Sequence, residues 1–196
     1  MGNVIMNAVV SLDGFIAYPN DDPGPLFDFY ENGSVAIAPG DPEREFHVSQ
    51  ATADLMSRTW PTIGACVIGR HLFDITNGWE GRPASGDHVF VVTHEPPTDW
   101  PFPDAPFTFV TDGVASAIEQ AKAYSGDRNV AVTAGNVGGQ AVELGLVDDL
   151  VFDLVGVVLG TGVKYFGGYN GGTVMFDDPE IVQGDRVTHL RYRRTQ

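Results

Sequence analysis

Continuous apolar runs recur along the chain at residues 4–10, 65–68, 89–92, 107–110, 130–133 and 150–159, bounded by Gly and Pro. A strand with one wet face alternates apolar and polar residues, whereas a strand buried on both faces does not. These runs therefore predict a largely parallel sheet covered by helices. Helical spacing lies between them. Residues 49–59 place Ala53 three before Met56 and Leu55 four before Thr59. Residues 114–124 put Val114, Ile118, Ala121 and Tyr124 on one stripe, with Thr111 or Asp112 available as a cap. Residues 136–144 fall where a crossover helix is expected, although Gly138 and Gly139 would each cost about 1 kcal/mol against Ala in a helix interior. Strand and helix in alternation give an α/β fold with right-handed crossovers.

The C-terminal stretch 188–193 does alternate, which predicts a half-exposed antiparallel strand closing the sheet edge. Residues 173–176 and 181–183 are its expected partners. Two stretches interrupt the pattern. Residues 18–45 are rich in Pro, Gly and Asp and too long for an ordinary connection, and they carry Phe27, Phe29 and Tyr30. They read as a lid over a site or as an inserted loop. Residues 96–106 form a second Pro-rich stretch and read as a connector. The 196 residues suit one α/β domain over 1–196, with no repeat.

Composition narrows the function classes. With 43% hydrophobic and 19% charged residues the chain is globular. No apolar run approaches the roughly 18–20 residues of a membrane span. The N-terminal MGNVIMNAVVSLDG lacks the basic region of a secretory signal, so a cytoplasmic location is expected. A net charge of −15 disfavours nucleic acid and anionic membranes and leaves small molecules as the expected partners. Cys66 is the only cysteine, which excludes an intramolecular disulfide and a Cys-rich zinc site. Its apolar neighbours predict a buried, inert thiol. His47, His71, His88, His94 and His189 are scattered without ligand spacing, so no metal site is expected.

Several motifs could carry chemistry. Residues 132–139 read as a strand, a Gly-rich turn and a helix, whose N-terminal N–H groups can cradle a pyrophosphate. A tight structural turn explains the same residues. Residues 67–74 read as a second strand opening into a helix, with Arg70 at the carboxyl end where α/β sheets bind ligands. A guanidinium there suits a phosphate monoester, and an ion pair with Asp74 is the plain alternative. Thr93 and His94 end a third strand, where Thr93 could bond a phosphate or ribose. Asp13-Gly14 is a turn signal that would also set Asp13 beside the end of the first strand. Asp54 lies on the first helix, either relaying a proton to a ring nitrogen or solvated on the surface. Gly160 and Gly162 permit close backbone approach, or simply a turn.

Taken in order, SLDGFIA, GACVIGRHLFD, HVFVVTH, TFVTDG, AGNVGGQAVELGLVDDL, VVLGTGVKYF and THLRYR resemble the RibD C-terminal, dihydrofolate-reductase-like family. The resemblance covers nearly the whole chain outside residues 18–45. It implies a central mixed, mostly parallel sheet flanked by helices, an antiparallel C-terminal strand, NADPH as cofactor and often a homodimer. It implies a 2′-phosphate near Gly69, Arg70, Thr93 and His94, and a pyrophosphate on Gly135, Asn136, Val137 and Gly138. The nicotinamide would lie against Asp13, Gly14, Ile16 and Ala17, with Gly160 and Thr161 nearby. The substrate would sit between that loop and the Asp54 helix. The implied reaction is hydride transfer to a pteridine-, pyrimidine- or flavin-like ring, with a proton from Asp54 or an ordered water and substrate positioning by Asp13. Two other readings stay open: a non-catalytic nucleotide- or metabolite-binding protein, and an FMN-using oxidoreductase. Leu72, where the family's G-R-x-T motif has Thr, favours the first of these.

Overall fold

The structure, a computed structural model, describes residues 2–38 and 44–195. In chain order the elements are β1 (Val4–Ser11), β2 (Phe15–Ala17), a 3-10 helix (Gly24–Glu31), β3 (Val35–Ile37), β4 (Phe46–Val48) and α1 (Gln50–Thr59). Then come β5 (Ile63–Gly69), α2 (Arg70–Ile75), the short turn α3 (Asn77–Glu80), β6 (His88–Val92), β7 (Phe107–Val110), α4 (Val114–Ser125), β8 (Asn129–Thr133) and α5 (Asn136–Glu143). The chain finishes with β9 (Asp149–Val155), β10 (Val163–Lys164), β11 (Glu180–Gln183) and β12 (Val187–Arg193).

Eight strands form the central sheet in the order β11-β12-β9-β1-β8-β5-β6-β7. The strands from β9 to β7 are mutually parallel, as their unbroken apolar runs require. β12 runs antiparallel to β9, and β11 antiparallel to β12. The sheet is therefore closed by β11 and not by β12, and of the expected partners 181–183 pairs while 173–176 adds only a Phe176–Arg194 bridge. β9 stops at Val155, short of the expected 159, because the β12 pairing ends at Val155–Val187 and the backbone turns to bond Leu12 N–H through Val157 C=O.

Side-chain alternation divides the packing between two faces. On one face α4 and α5 cover Val4, Met6, Val67, Val130 and Val132 through Ile118, Ala121, Val137 and Ala141. On the other, α1 meets Val9, Val155 and Val187 through Met56, and α2 meets Cys66, Ile68 and Ala131 through Phe73. Cys66 is buried, and burial pushes its thiol up to about 12. The Gly138-Gly139 pair inside α5 has a packing reason. A Cβ on Gly139 would stand 1.9 Å from Gly167 O, so helix propensity is given up for close approach of the 165–168 segment. α4 is capped by Gly113 backbone without a side-chain bond, so neither Thr111 nor Asp112 caps it. No helix among the described residues is long and apolar enough to cross a membrane.

Residues 39–43 of the stretch expected as a lid or insertion lie outside the described residues. The remainder is anchored. Leu26 and Phe29 of the 3-10 helix are buried against Val9, Met56, Val155 and Val187, and Tyr30 stacks on Phe46 at 4.5 Å. This segment is part of the second core, so Phe29→Ala is expected to cost about 3 kcal/mol. Urea denaturation checks this; a loss below about 1 kcal/mol would mean that the segment rides on the surface.

Candidate functional site

β5 and β8 are neighbours, yet their connections part. The chain leaves β5 for α2 on one face of the sheet and leaves β8 for α5 on the other. Such a divergence opens a crevice beyond the carboxyl ends of the strands, where open α/β sheets take ligands. Gly69 ends β5 on one side of it and Gly135 follows β8 on the other. The crevice is narrow here: a Cβ on Gly69 would lie 3.1 Å from Val137 Cγ2, and one on Gly135 3.7 Å from Ile16 Cδ1. Gly135 holds φ +90°, a conformation that L side chains avoid.

Gly135 is the N-cap of α5 and has no side chain, so the first-turn N–H groups of Asn136, Val137 and Gly138 lack a capping side chain. Tyr165 ties this turn to the opposite loop. Its carbonyl accepts from Gly135 N–H (2.8 Å), its N–H donates to Gly14 C=O (2.9 Å), and its buried hydroxyl donates to Met6 and Val151 carbonyls. β2 and β10 pair across the same junction, bringing the 14–17 loop to Val163 and Lys164.

Asp13 sits where β1 ends, as a clamp. Its Oδ1 accepts from Ser11 Oγ (2.6 Å) and Leu159 N–H (3.1 Å), and its Oδ2 from Gly160 N–H (2.7 Å). The Ser11 hydroxyl, with the Gly160 and Leu159 amides, holds this exposed carboxyl below its usual 3.8. Both oxygens are thus spent on joining the Asp13-Gly14 turn to the Leu159–Gly160 turn. Ser11, buried beneath it and also accepting from Phe15 N–H, was invisible as a partner in the sequence. Thr161 lies exposed on the same loop.

Arg70 and Thr93 do come together, across the ends of β5 and β6. The guanidinium reaches Thr93 Oγ1 at 3.5 Å and donates to Glu95 C=O at 2.6 Å, while its Nε pairs with Asp74 at 2.7 Å. The ion pair with Asp74, the plain alternative for Arg70, is therefore formed. An open cleft of about 470 Å3 adjoins it, lined also by Glu95, Asp99 and Trp100. Of the 96–106 stretch expected as a connector, residues 96–101 also line this cleft, fastened by Trp100 edge-on to Phe73 and Phe107. His94 is exposed beside it.

Asp54 is not brought into the crevice. Helix phase puts Thr52, Ala53 and Met56 on the buried side of α1 and leaves Asp54 exposed, held by Gln50 Nε2 at 2.7 Å. What the buried side does present is Thr52, 2.9 Å from His189 Nε2. His189 in turn reaches Asp153 Oδ1 through Nδ1 at 2.6 Å. Sequence spacing offered no sign of this cluster, since its members come from α1, β12 and β9.

No protein-family model matches the chain, and a comparison with curated proteins finds no match. Solved structures do resemble it over its whole length. A protein assigned to riboflavin biosynthesis from Shewanella sp. PV-4 is 22% identical at TM-score 0.69, with 100% of both chains covered. A pyrimidine reductase-like protein from Corynebacterium diphtheriae is 14% identical at TM-score 0.65, covering 100% of this chain and 92% of the other. A dihydrofolate reductase from Enterococcus faecalis, complexed with NADP(H), is 15% identical at TM-score 0.58, covering 100% and 98%. The fold is therefore dihydrofolate-reductase-like, a mixed and mostly parallel sheet flanked by helices with antiparallel C-terminal strands, as the sequence resemblance implied.

The Asp13 clamp predicts a pH-dependent stability. A carboxyl whose folded pKa is lowered contributes stability that is full above its unfolded value, about 3.9, and lost as pH falls through the folded value. Asp13→Asn is therefore expected to lower the thermal midpoint near neutral pH, with the gap to the unmodified protein closing in acid. A gap that persists unchanged in acid would show that Asp13 acts by shape alone.

Proposed function

We propose that the chain is an NADPH-dependent reductase that delivers hydride to a small heterocycle of pteridine, pyrimidine or flavin type. The observation that carries this reading is the β5/β8 crevice, with the uncapped α5 N-terminus on one side and the 14–17 loop facing it across Gly135. The residues fit the cofactor in parts. The Asn136, Val137 and Gly138 amides offer donors for a pyrophosphate, and Gly135 lacks the side chain that would fill the space toward Ile16. Arg70 and Thr93 offer a guanidinium and a hydroxyl for a 2′-phosphate. Arg70 is the sole cation among the cleft's lining residues, against Asp74, Glu95 and Asp99, so the local field depends on it.

When bound, the nicotinamide supplies the hydride. The chain's own work is orientation. The Asp13 clamp fixes the backbone of residues 13–14 and 159–160 against each other, and Tyr165 locks the Gly14 carbonyl to the α5 turn. Gly14, Ile16, Ala17, Gly160 and Thr161 then form the wall against which a flat ring would rest. Asp54, exposed and bonded to Gln50, is not our choice of proton donor. That exposure favours a second reading, a non-catalytic nucleotide-binding protein on the same fold.

Loss of NADPH absorbance with a panel of pterins, pyrimidines and flavins tests the reductase reading; tight NADPH binding without turnover on any of them would favour the second. Arg70→Ala is expected to weaken NADPH binding about tenfold while changing NADH binding less than about twofold. Equal effects on both cofactors would remove the 2′-phosphate from Arg70.

We further propose that the chain forms a homodimer through the β9–β12 face. Leu150, Phe152, Leu154, Phe176, Leu190 and Tyr192 line an open apolar groove of about 390 Å3 there. Uncovered apolar surface of this kind suits a second copy of the same face. Leu190→Glu is expected to convert a dimer into a monomer in light scattering, and an unmodified protein that is already monomeric would contradict the proposal.

A further inference from the structure

The sheet face under α1 and α2 has a gap at its centre. On β1, Ile5, Asn7 and Val9 share this face; Ile5 and Val9 are buried, but Asn7 between them is exposed. Thr133 on β8 and Val151 on β9, in register with Asn7, are half-buried. α1 covers Val9 and its neighbours through Met56, and α2 covers Ile68 and Ala131 through Phe73. Neither closes over Asn7. A polar side chain left open in the middle of a sheet's central strand, flanked on both sides by parallel strands, marks an uncovered stretch of this face, the Asn7 groove.

The next pleat position along β9 on this face is Asp153, registered against Val9 on one side and His189 on the other. Its side chain keeps 15% of its surface exposed while that of His189 keeps 3%, so anything that reaches the pair reaches it at the carboxylate. Behind the carboxylate runs a chain of hydrogen bonds. Ser49 Oγ donates to Thr52 Oγ1 at 3.1 Å, Thr52 Oγ1 lies 2.9 Å from His189 Nε2, and His189 Nδ1 lies 2.6 Å from Asp153 Oδ1. With a neutral imidazole protonated at Nδ1, every hydrogen in the chain has an acceptor and all of them run toward Asp153. Oδ2 has no partner among the described residues. Tyr30 stands nearby; burial, and then the charge of Asp153, raise its hydroxyl pKa well above the usual value, so it stays a neutral donor.

The order Thr–His–Asp invites comparison with a nucleophile relay. Thr52, however, is 1% exposed beneath α1, so no substrate carbonyl reaches it. The open end of the chain is the carboxylate.

We infer that Asp153, held by His189 and Thr52, is the ligand anchor of the Asn7 groove, and that it takes a ring presenting N–H donors, such as an imide, an amidine or an aminopyrimidine edge, rather than an anionic group. This rests on the reductase reading for its role in turnover, with Asp153 fixing the ring while the cofactor lies at the β5/β8 crevice. A half-buried carboxylate with a free oxygen gains most from charge-assisted N–H bonds and repels carboxylates and phosphates. Asp153 makes contact with the ligand; His189 and Thr52 act through it as positioning residues.

The test is calorimetric titration of the full chain with pterin and with diaminopyrimidine, with and without NADPH. At least one ring is expected to bind, Asp153→Asn to weaken it at least about tenfold, and NADPH affinity to change less than about twofold in that variant. His189→Leu is expected to lose ring binding as Asp153→Asn does, and His189→Asn, which can restore a donor near Nδ1, to regain part of it. The retained NADPH affinity, or failing that the thermal midpoint, reports that each variant is folded. Ring binding that survives Asp153→Asn would overturn the inference and leave the reductase reading standing. Absence of ring binding in the unmodified protein would also overturn it. Ring binding that depends on Asp153 in a chain that ignores NADPH would keep the anchor and remove the reductase.

Discussion

Two parallel neighbours whose connections leave on opposite faces cannot close the space above their carboxyl ends. In this chain that happens between β5 and β8, and the rest of the site is arranged around it. Gly69 and Gly135 flank the resulting crevice, and both are small because the first turn of α5 and the 14–17 loop press toward it. The Gly138-Gly139 pair belongs to the same constraint: helix propensity is lost so that the 165–168 backbone can lie against α5.

The loops around the crevice are held by few but multiply bonded groups. Asp13 joins two turns through two hydrogen bonds and is steadied by a third from Ser11, and Tyr165 joins the Gly14 loop to the Gly135 turn while burying its ring against Phe152. Such groups limit the conformations open to glycine-rich segments, which would otherwise lose entropy on every encounter with a ligand. The strongly acidic surface fits the same picture. In a chain of net charge −15, the α5 N–H groups and Arg70 are local exceptions, so anion binding would be concentrated at them.

Much of the fold was legible because burial on both faces writes itself as continuous apolar runs. β5, β6, β7 and β8 fall within two residues of those runs, and Val114, Ile118 and Ala121 of the α4 stripe are buried as periodicity puts them, while Tyr124 at its end is exposed. Arg70 and Thr93 were joined in the sequence only through the family resemblance; the fold joins them because each follows its strand by one position and β5 and β6 are adjacent. The anchoring of the 18–45 stretch was not legible, because two buried residues in a polar, Pro-rich segment have no periodicity. Nor was the Asp153–His189–Thr52 chain. It depends on which strands are neighbours and on the phase of α1, and the same phase turned Asp54 outward. His189 looked like one of five unrelated histidines because its partners lie 36 and 137 positions away.

We propose that a nicotinamide dinucleotide phosphate lies across the β5/β8 crevice. Amide chemical-shift mapping by NMR during an NADPH titration tests it most directly in a chain of 21.1 kDa. The perturbed amides are expected to cluster at residues 14–17, 69–71, 93–95, 135–138 and 160–161, ends of the sheet that are distant in sequence. Perturbations spread elsewhere, or none at cofactor concentrations that saturate a reductase, would contradict it.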